Sequence, residues 1–248
     1  MRLTIIGCSG SLPSPNSPAS CYLVEAGTTT LVLDMGSGAV GPLQRRTRLD
    51  RIDGILLSHL HPDHCMDLCG LYVAARYGPW SDCPKVGVWG PAGTAERLAR
   101  AYGLPENPGM TGEFDFWTYP DEPFEIGDVR VTASRVVHPV PAYAVRLEHG
   151  ESTLVYSGDT AATPALVDLA RDADLFLCEA AFVDGDLNPA GHHLTGREAG
   201  EHAAAAGVRQ LMLTHILPWI DPEVPIAAAR SSFDGPVGLA RPGAVVEF

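Results

Sequence analysis

The amino-acid sequence predicts an α/β fold in which mixed β-sheets are covered by helices, within one domain spanning residues 1–248. Strand-like and helix-like segments alternate along the chain, which is typical of sheets with helical crossovers. Two pairs of strand-like segments are joined by short turns, 21–25 with 29–34 and 142–148 with 153–157. Hairpins make antiparallel pairs and crossovers make parallel ones, so these signals together favour mixed sheets over a purely parallel sheet.

Runs of apolar and β-branched residues predict the strands of the first half, and periodic apolar runs predict its helices. The predicted strands are 2–6, 21–25, 29–34, 52–58, 85–89 and 129–137. The predicted helices are 39–48, 65–77 and 92–102, the last of which starts behind Pro91.

The second half continues in the same style. Its predicted strands are 142–148, 153–157, 174–178 and 209–214, and its predicted helices are 163–171 and 195–206. Several of these strands end at residues with metal-binding side chains, so the edges of the sheets are where we expect a site.

The composition is that of an ordinary globular enzyme, with 46% hydrophobic and 19% charged residues. No stretch approaches the roughly 20 apolar residues that span a bilayer, and the N-terminal residues lack a secretory signal pattern. Six cysteines without such a signal indicate reduced thiols. We therefore expect a cytoplasmic protein that does not cross the membrane. The sequence does not decide between a monomer and a homodimer.

The formal net charge of −13 opposes the approach of a long polyanion, so we expect a small substrate instead of extended nucleic acid. A basic cluster lies between two predicted strands, and we interpret it as the solvated face of helix 39–48. Its members are Arg45, Arg46, Arg48 and Arg51. We also expect His149 and His202 at the surface, and Cys65 and Cys69 to be small hydrophobic residues, not zinc ligands.

A run of potential metal ligands directly follows the predicted strand 52–58. It contains three imidazoles and a carboxylate within six residues: His59, His61, Asp63 and His64. Neutral imidazoles and carboxylates are the donor set for zinc or a similar divalent ion. An apolar core would not tolerate four such groups without partners. The run therefore predicts a metal site where the chain leaves the strand.

Three further candidate ligands lie at the carboxyl ends of apolar strands. His138 ends strand 129–137, Asp159 follows strand 153–157, and His215 follows strand 209–214. Because open α/β sheets hold their ligands at this edge, we expect these side chains to join the histidine run.

These residues resemble the metal-binding motifs of the metallo-β-lactamase superfamily, and the resemblance covers the chain from Ile5 to His215. It implies a four-layer αβ/βα sandwich and two divalent metal ions, zinc or in its place manganese or iron, bridged by a hydroxide. It assigns His59, His61 and His138 to one ion and Asp63, His64 and His215 to the other. Asp159 would bridge them, and Asp63 is also counted as catalytic. True β-lactamases carry Cys or Ser at the position of Asp159, which disfavours antibiotic hydrolysis.

The segment from Gly191 to Ala199 resembles the phosphodiesterase branch of this superfamily, including the tRNA 3′-processing endonucleases. The resemblance implies that His193 assists the leaving group. Thr195 and Glu198 are spaced as a capping box at the start of helix 195–206. Glu179 can orient His193, although this chain has Cys-Glu-Ala-Ala where those endonucleases have His-Glu-Ala-Thr.

Over its full length the chain resembles bacterial atypical cyclic-nucleotide phosphodiesterases, on the stretches 6–11, 90–97 and 193–198. We therefore predict a metal-dependent phosphodiesterase that hydrolyses cyclic AMP to the 5′-monophosphate. The alternatives are a tRNA 3′-end endonuclease, a thioester or lactone hydrolase, and a non-catalytic metal or nucleotide sensor. The aromatic residues that could stack on a base are Tyr77, Trp80, Phe182 and Trp219.

Overall fold

Two seven-stranded β-sheets form the centre of the structure, a computed structural model that describes residues 1–79, 81, 83–185 and 187–248. The strands, in chain order, are β1 (Arg2–Gly7), β2 (Cys21–Ala26), β3 (Thr29–Leu33), β4 (Gly54–Leu56), β5 (Val86–Gly90), β6 (Phe114–Thr118), β7 (Phe124–Ile126), β8 (Val129–Arg135), β9 (Tyr143–His149), β10 (Ser152–Tyr156), β11 (Leu175–Glu179), β12 (Leu211–Thr214), β13 (Val237–Leu239) and β14 (Val245–Glu247).

Both sheets are mixed. The first has the order β14-β1-β2-β3-β4-β5-β6, and the second has the order β13-β12-β11-β10-β9-β8-β7. In the first sheet the pairs from β14 to β3 are antiparallel and those from β3 to β6 are parallel. In the second sheet β7 to β10 pair antiparallel and β10 to β13 pair parallel. The predicted mixture of hairpins and crossovers is thus confirmed.

Helices cover the outer face of each sheet. They are α1 (Val40–Leu43), α2 (Pro62–Cys65), α3 (Leu68–Tyr77), α4 (Thr94–Tyr102), α5 (Pro164–Ala170), α6 (Gly196–Ala206) and α7 (Glu223–Arg230), with a short 3-10 helix at Leu49–Arg51. One apolar cluster packs α3 and α4 on the first sheet, and another packs α5, α6 and α7 on the second. A third cluster, which includes Tyr22, Leu147 and Leu177, lies between the sheets. These layers confirm the αβ/βα sandwich.

The two predicted hairpins are present, and each turns through a glycine with positive φ. Gly27, at φ +58°, joins β2 to β3, and Gly150, at φ +59°, joins β9 to β10. Glycine adopts this left-handed conformation without the steric cost that a Cβ atom brings. The turn residues therefore fix the register of both antiparallel pairs.

The predicted helix 39–48 is wrong in its length, because only Val40–Leu43 is helical and a turn follows. Leu43 is the one buried residue of this helix, so the arginines that follow have no apolar stripe to extend. The basic cluster therefore does not form a solvated helix face as predicted. Within it, Arg48 pairs with Asp50 across the 3-10 helix.

Besides the 3-10 helix, six short elements were not predicted from the sequence: β6, β7, β13, β14, α2 and α7. Each of these strands has three to five residues and few fully buried side chains, which leaves a weak alternating pattern. Helix α7 contains a proline and three alanines, and alanine carries little apolar signal. Within the described part of the chain, no helix has the length and hydrophobicity required to cross a bilayer.

Candidate metal centre

The seven predicted ligands meet at one edge of the sandwich, where the two sheets face each other. The histidine run leaves the first sheet after β4, and the other ligands follow β8, β10 and β12 of the second sheet. Potential ligand atoms fall into two groups, each within 4.8 Å: His59, His61 and His138, and Asp63, His64, Asp159 and His215. The structure thus brings together every ligand that the sequence predicted.

The first group consists of three imidazoles whose ring nitrogens converge. His61 Nδ1 lies 2.9 Å from His59 Nε2 and 3.2 Å from His138 Nε2. Burial lowers the pKa of His61, lowers that of His59 well below its ordinary value, and lowers the pKa of His138 to about 4. At neutral pH these rings are uncharged, so each can offer a lone pair to a divalent cation.

The second group contains two carboxylates around two imidazoles. His215 Nε2 lies 3.1 Å from Asp63 Oδ2 and 3.2 Å from His64 Nε2. Burial acts to lower the pKa of His64, but the surrounding carboxylates, Asp159 first, raise it well above the ordinary value. The pocket therefore favours positive charge, which a metal ion supplies as well as a proton does.

Asp159 lies between the two groups. Its Oδ2 is 3.2 Å from His64 Nε2 and 3.6 Å from His59 Nε2, one histidine from each group. Its other oxygen, Oδ1, is buried without a hydrogen-bond partner. An unpaired buried carboxylate oxygen is costly, and a cation is the partner that its charge requires. The residues present therefore fit bound divalent metal.

The short helix α2 places the run of four ligands on one side of the chain. His61 is the extended N-cap and Pro62 occupies the first helical turn, where its missing N–H costs nothing. Gly36 packs against this turn so closely that a Cβ atom there would lie 2.0 Å from Asp63 O. The Pro62–Cys65 turn is thus held against the segment that follows β3.

Asp34 is a functional residue that sequence reasoning missed. It lies at the carboxyl end of β3, is fully buried, and has a left-handed backbone with φ +57°. Asp34 Oδ2 lies 2.7 Å from Nδ1 of the candidate ligand His64. Tyr156 OH and the Ser58 hydroxyl donate to the same oxygen at 2.7 and 2.8 Å, and Ser58 N donates to Oδ1 at 2.7 Å. The one local signal for Asp34 is a polar residue directly after a strand, which is also common at turns, so its role is visible only from these contacts.

His193 and Glu179 form a pair beside the second ligand group. His193 Nδ1 donates to Glu179 Oε1 at 2.9 Å, and Glu179 also accepts from Thr160 N at 2.7 Å. Ligand atoms of Glu179, His193 and His215 lie within 4.8 Å of one another. Because Nδ1 is engaged by Glu179, Nε2 is the nitrogen of His193 that is left to face a substrate.

The environment of this pair favours a protonated imidazole. Burial acts to lower the pKa of His193, but the adjacent Glu179 carboxylate outweighs it and raises this pKa to about 9. Burial raises the pKa of Glu179.

The predicted capping box is present at the start of α6. Thr195 Oγ1 accepts from Glu198 N at 3.2 Å, and Thr195 N donates to Glu198 Oε2 at 2.8 Å.

Other predicted residues are distributed around the site. Phe182 packs edge-on against His193, with ring centroids 5.0 Å apart. Tyr77 and Trp219 are exposed, and Trp80 lies outside the described residues. The expectation that His202 is a surface residue is wrong: it is buried on α6, where its Nε2 accepts from Thr163 N at 3.2 Å.

The site can be compared with known proteins. Residues 22–216, which include all candidate ligands and His193, match the model of the Beta-lactamase superfamily domain. An uncharacterized protein of Mycobacterium leprae (strain TN) is 45% identical over 243 residues, 96% of this chain and 85% of that protein. The probable metallo-hydrolase YhfI of Bacillus subtilis (strain 168) is 31% identical across 100% of both chains.

Solved structures show the same fold. The crystal structure of YhfI superposes with a TM-score of 0.89 and 28% identity, covering 100% of this chain and 99% of that one. The short form of human tRNase Z has a TM-score of 0.78 at 22% identity, with 100% and 99% covered. The matched region and the converging ligands agree, and the chain belongs to the metallo-β-lactamase superfamily of metal-dependent hydrolases.

Proposed function

We propose that the protein is a phosphodiesterase that uses two metal ions to open cyclic AMP to its 5′-monophosphate. The observation that carries the proposal is the hydrogen-bonded pair His193 and Glu179, which lies beside the ligands and takes no place in either of the two main ligand groups. Breaking a phosphodiester expels an alkoxide, and an alkoxide needs a proton donor. In this proposal His193 is that donor, and its raised pKa and its contact with Glu179 support the role.

The ligand assignment follows the two groups of the site. His59, His61 and His138 would hold one ion, Asp63, His64 and His215 the other, and Asp159 would bridge them. Zinc suits these nitrogen and oxygen donors, with manganese or iron as substitutes. Two such ions, when bound, activate a water nucleophile and neutralise charge on the phosphoryl oxygens.

The residues of the chain divide the remaining work. The water gives up one proton to solvent, its oxygen attacks phosphorus and forms one P–O bond, and the bond from phosphorus to the 3′ oxygen breaks. His193 gives its proton to that oxygen, and Glu179 holds the imidazole by Nδ1 so that Nε2 faces the leaving group. The product therefore keeps its phosphate on the 5′ oxygen.

The charge of the site supports a small anionic substrate. The two divalent ions would outweigh the carboxylates Asp63 and Asp159, which gives a local attraction for one phosphoryl group. The protein as a whole carries −13, which repels a polyanion that extends across the surface. A cyclic nucleotide has the one phosphate that this distribution accommodates.

Replacement of His193 tests the function through two substrates with different leaving groups. His193→Ala should lower turnover of cyclic AMP by about 10²–10⁴-fold, the usual contribution of general acid catalysis. Turnover of a nitrophenyl phosphodiester should fall much less, because nitrophenolate leaves as a stable anion without a proton. The measurement is kcat for both substrates, with metal content determined on the same samples.

The neighbouring imidazole supplies a matched control. His192 is half-buried, and among its described hydrogen bonds the side chain contacts only Ala190 O. The contact with His138 Nδ1 uses the backbone oxygen of His192, which alanine keeps, so His192→Ala should leave both rates near those of the parent protein. Glu179→Gln should show a weaker form of the His193→Ala asymmetry, since it loosens the orientation of the ring. Equal losses on both substrates with metals retained would show that His193 is not the proton donor.

The other functions are separated by one panel of substrates. A tRNA 3′-end endonuclease would cleave a tRNA precursor efficiently and act little on cyclic nucleotides. A thioester or lactone hydrolase would turn over those esters, and a sensor would bind metal or nucleotide and turn over none. We expect cyclic AMP to be the best substrate of the metal-loaded protein, and preferred cleavage of the precursor would reverse this ranking.

A further inference from the structure

A cavity of about 390 Å³ lies between the loop that joins β1 to β2 and the segment that follows β12. The loop contributes Cys8, Ser9 and Ser17, the later segment contributes Ile216 and Leu217, and Leu239 closes the cavity from the end of β13. The volume lies within the range of roughly 300–1,000 Å³ that is typical of small-molecule sites.

The cavity continues the sheet edge that carries the metal centre. Strand β13 is the neighbour of β12, so Leu239 lies one strand spacing, about 4.8 Å, beyond the strand that ends before His215. His215 N donates to Cys8 O at 3.1 Å, and Gly10 N donates to Ile216 O at 3.0 Å. The walls of the cavity are therefore the two segments that hold the ligand His215.

The described residues that line the cavity include no charged side chain, although 19% of the chain is charged. Its walls are largely apolar, with Ile216, Leu217 and Leu239 among them. A second phosphate or a charged peptide would lose its hydration there without gaining a counter-charge. The lining favours a neutral ligand with apolar faces.

One hydroxyl in the cavity has no partner. Ser9 is only 5% exposed, and its Oγ is buried without a hydrogen bond. A buried polar atom without a partner costs about 1–3 kcal/mol, so native structures rarely leave one unless a ligand or water completes it. Because Ser9 Oγ has almost no exposed surface in this conformation, the side chain has to rotate about χ1 to present its hydroxyl to a ligand in the cavity.

We propose that this cavity binds the nucleobase of the substrate while the phosphate lies at the metal centre, and that the Ser9 hydroxyl rotates to bond the polar edge of the base. A nucleobase is neutral, planar and apolar on its faces, which matches the lining. The inference rests on the proposed function only in naming the substrate as a nucleotide.

The test fills the cavity and measures binding directly. Leu239→Trp places an indole in the space, and adenosine, which has a base but no phosphate, is titrated into the protein by calorimetry. We expect adenosine to bind the parent protein and to lose at least about tenfold in affinity in the variant. Ser9→Ala should weaken the binding as well, because the variant keeps the walls and removes the hydroxyl.

A second surface cavity of about 390 Å³, lined by Val167 on α5, provides the matched control. Val167→Trp adds the same bulk away from the metal centre and should leave adenosine affinity unchanged. In kinetics, Leu239→Trp should raise KM for cyclic AMP at least about tenfold and affect a nitrophenyl phosphodiester, which has no base, far less.

The inference and the proposed function fail in different ways. Absence of adenosine binding to the parent protein, or equal affinity in Leu239→Trp, overturns the base pocket even if cyclic AMP is hydrolysed. Adenosine binding that Leu239→Trp abolishes supports the pocket even if no phosphodiester is turned over. Guanosine and cytidine, titrated in parallel, show which base the cavity prefers.

Discussion

Asp34 shares its carboxylate among four hydrogen-bonding groups, and one of these is the ligand His64. A carboxylate on the far nitrogen of a ligating histidine fixes the orientation of the ring and increases its basicity. Tyr156 and Ser58 hold the carboxylate in place from both sheets, so His64 is positioned before any ion arrives. The left-handed backbone of Asp34 is maintained by these contacts.

Asp34→Asn should therefore weaken metal binding without removing a ligand. The amide presents only one acceptor oxygen to groups that now use two, so the contact to His64 Nδ1 is weakened. We expect the dissociation constant for zinc to rise by about 10–100-fold, the usual effect of losing such a partner. Competition with a chromogenic chelator measures it.

Asp128 gives the control for this substitution. Its carboxylate accepts from Thr28 N and Thr28 Oγ1 at an exposed turn. Asp128→Asn makes the same chemical change away from the site and should leave zinc affinity unaltered. An Asp34→Asn protein with parental affinity would mean that Asp34 serves the fold alone.

The ligands were predictable from sequence because histidines and aspartates clustered behind apolar strands have few structural roles. Asp34 and Ser9 were not predicted, since an isolated Asp or Ser at a strand end is a common turn or cap residue. Their importance depends on burial and on partners such as Tyr156, which lies 122 residues away along the chain. Contacts of that separation are properties of the fold, and a local pattern does not contain them.

The N-terminus of helix α6 positions His193, the candidate general acid. Its N-cap Thr195 follows His193 by two residues, and the capping box closes the turn between them and the helix. The backbone bridge from Phe182 to Thr195 ties the same turn to the segment after β11, which ends at Glu179. The two members of the pair are thus positioned by neighbouring elements.

Thr195→Ala should destabilise the protein by about 1 kcal/mol, because it removes the side-chain acceptor that satisfies an orphan N–H of the helix. Denaturant unfolding gives the free energy. Thr163 is the N-cap of α5 and makes no side-chain cap hydrogen bond, so Thr163→Ala is the matched control and should cost only a few tenths of a kcal/mol. Equal losses in both variants would contradict the role of the cap.

At the scale of elements, the sequence indicated the long strands and capped helices but not the edges of the sheets. Helix 195–206 was predicted closely because its cap and its Gly207 terminator are local signals. Strands β13 and β14 pair with distant partners, β12 and β1, and have little pattern of their own. Their place depends on the sheet that they join.

Both sheets contribute candidate ligands to the metal centre. The histidine run follows a strand of the first sheet, and His138, Asp159 and His215 follow strands of the second. Metal ions bound there would connect the two halves of the sandwich. Ligands that bind only the folded state stabilise it, by about 2.7 kcal/mol for one site at a hundredfold excess over the dissociation constant.

We therefore expect close to two divalent ions per chain by elemental analysis, and a clear fall in the thermal midpoint after chelation. A loss of that free energy corresponds to roughly 5–10 °C for a chain of this size. Zinc should restore the midpoint, and Asp159→Ala should lower the occupancy of both sites. A protein that purifies without metal, takes none up and keeps its midpoint with chelator would contradict the two-ion assignment.

The two sheets share the same order of antiparallel and parallel strand pairs. Read from β14 to β6, and from β7 to β13, each sheet has three antiparallel pairs followed by three parallel ones. In this correspondence β3 matches β10, and each is followed closely by an aspartate of the site, Asp34 one residue after β3 and Asp159 three residues after β10. This arrangement is what duplication of an ancestral half-sandwich would leave, with the two loops since diverged so that one aspartate supports a candidate ligand and the other lies between the two ligand groups.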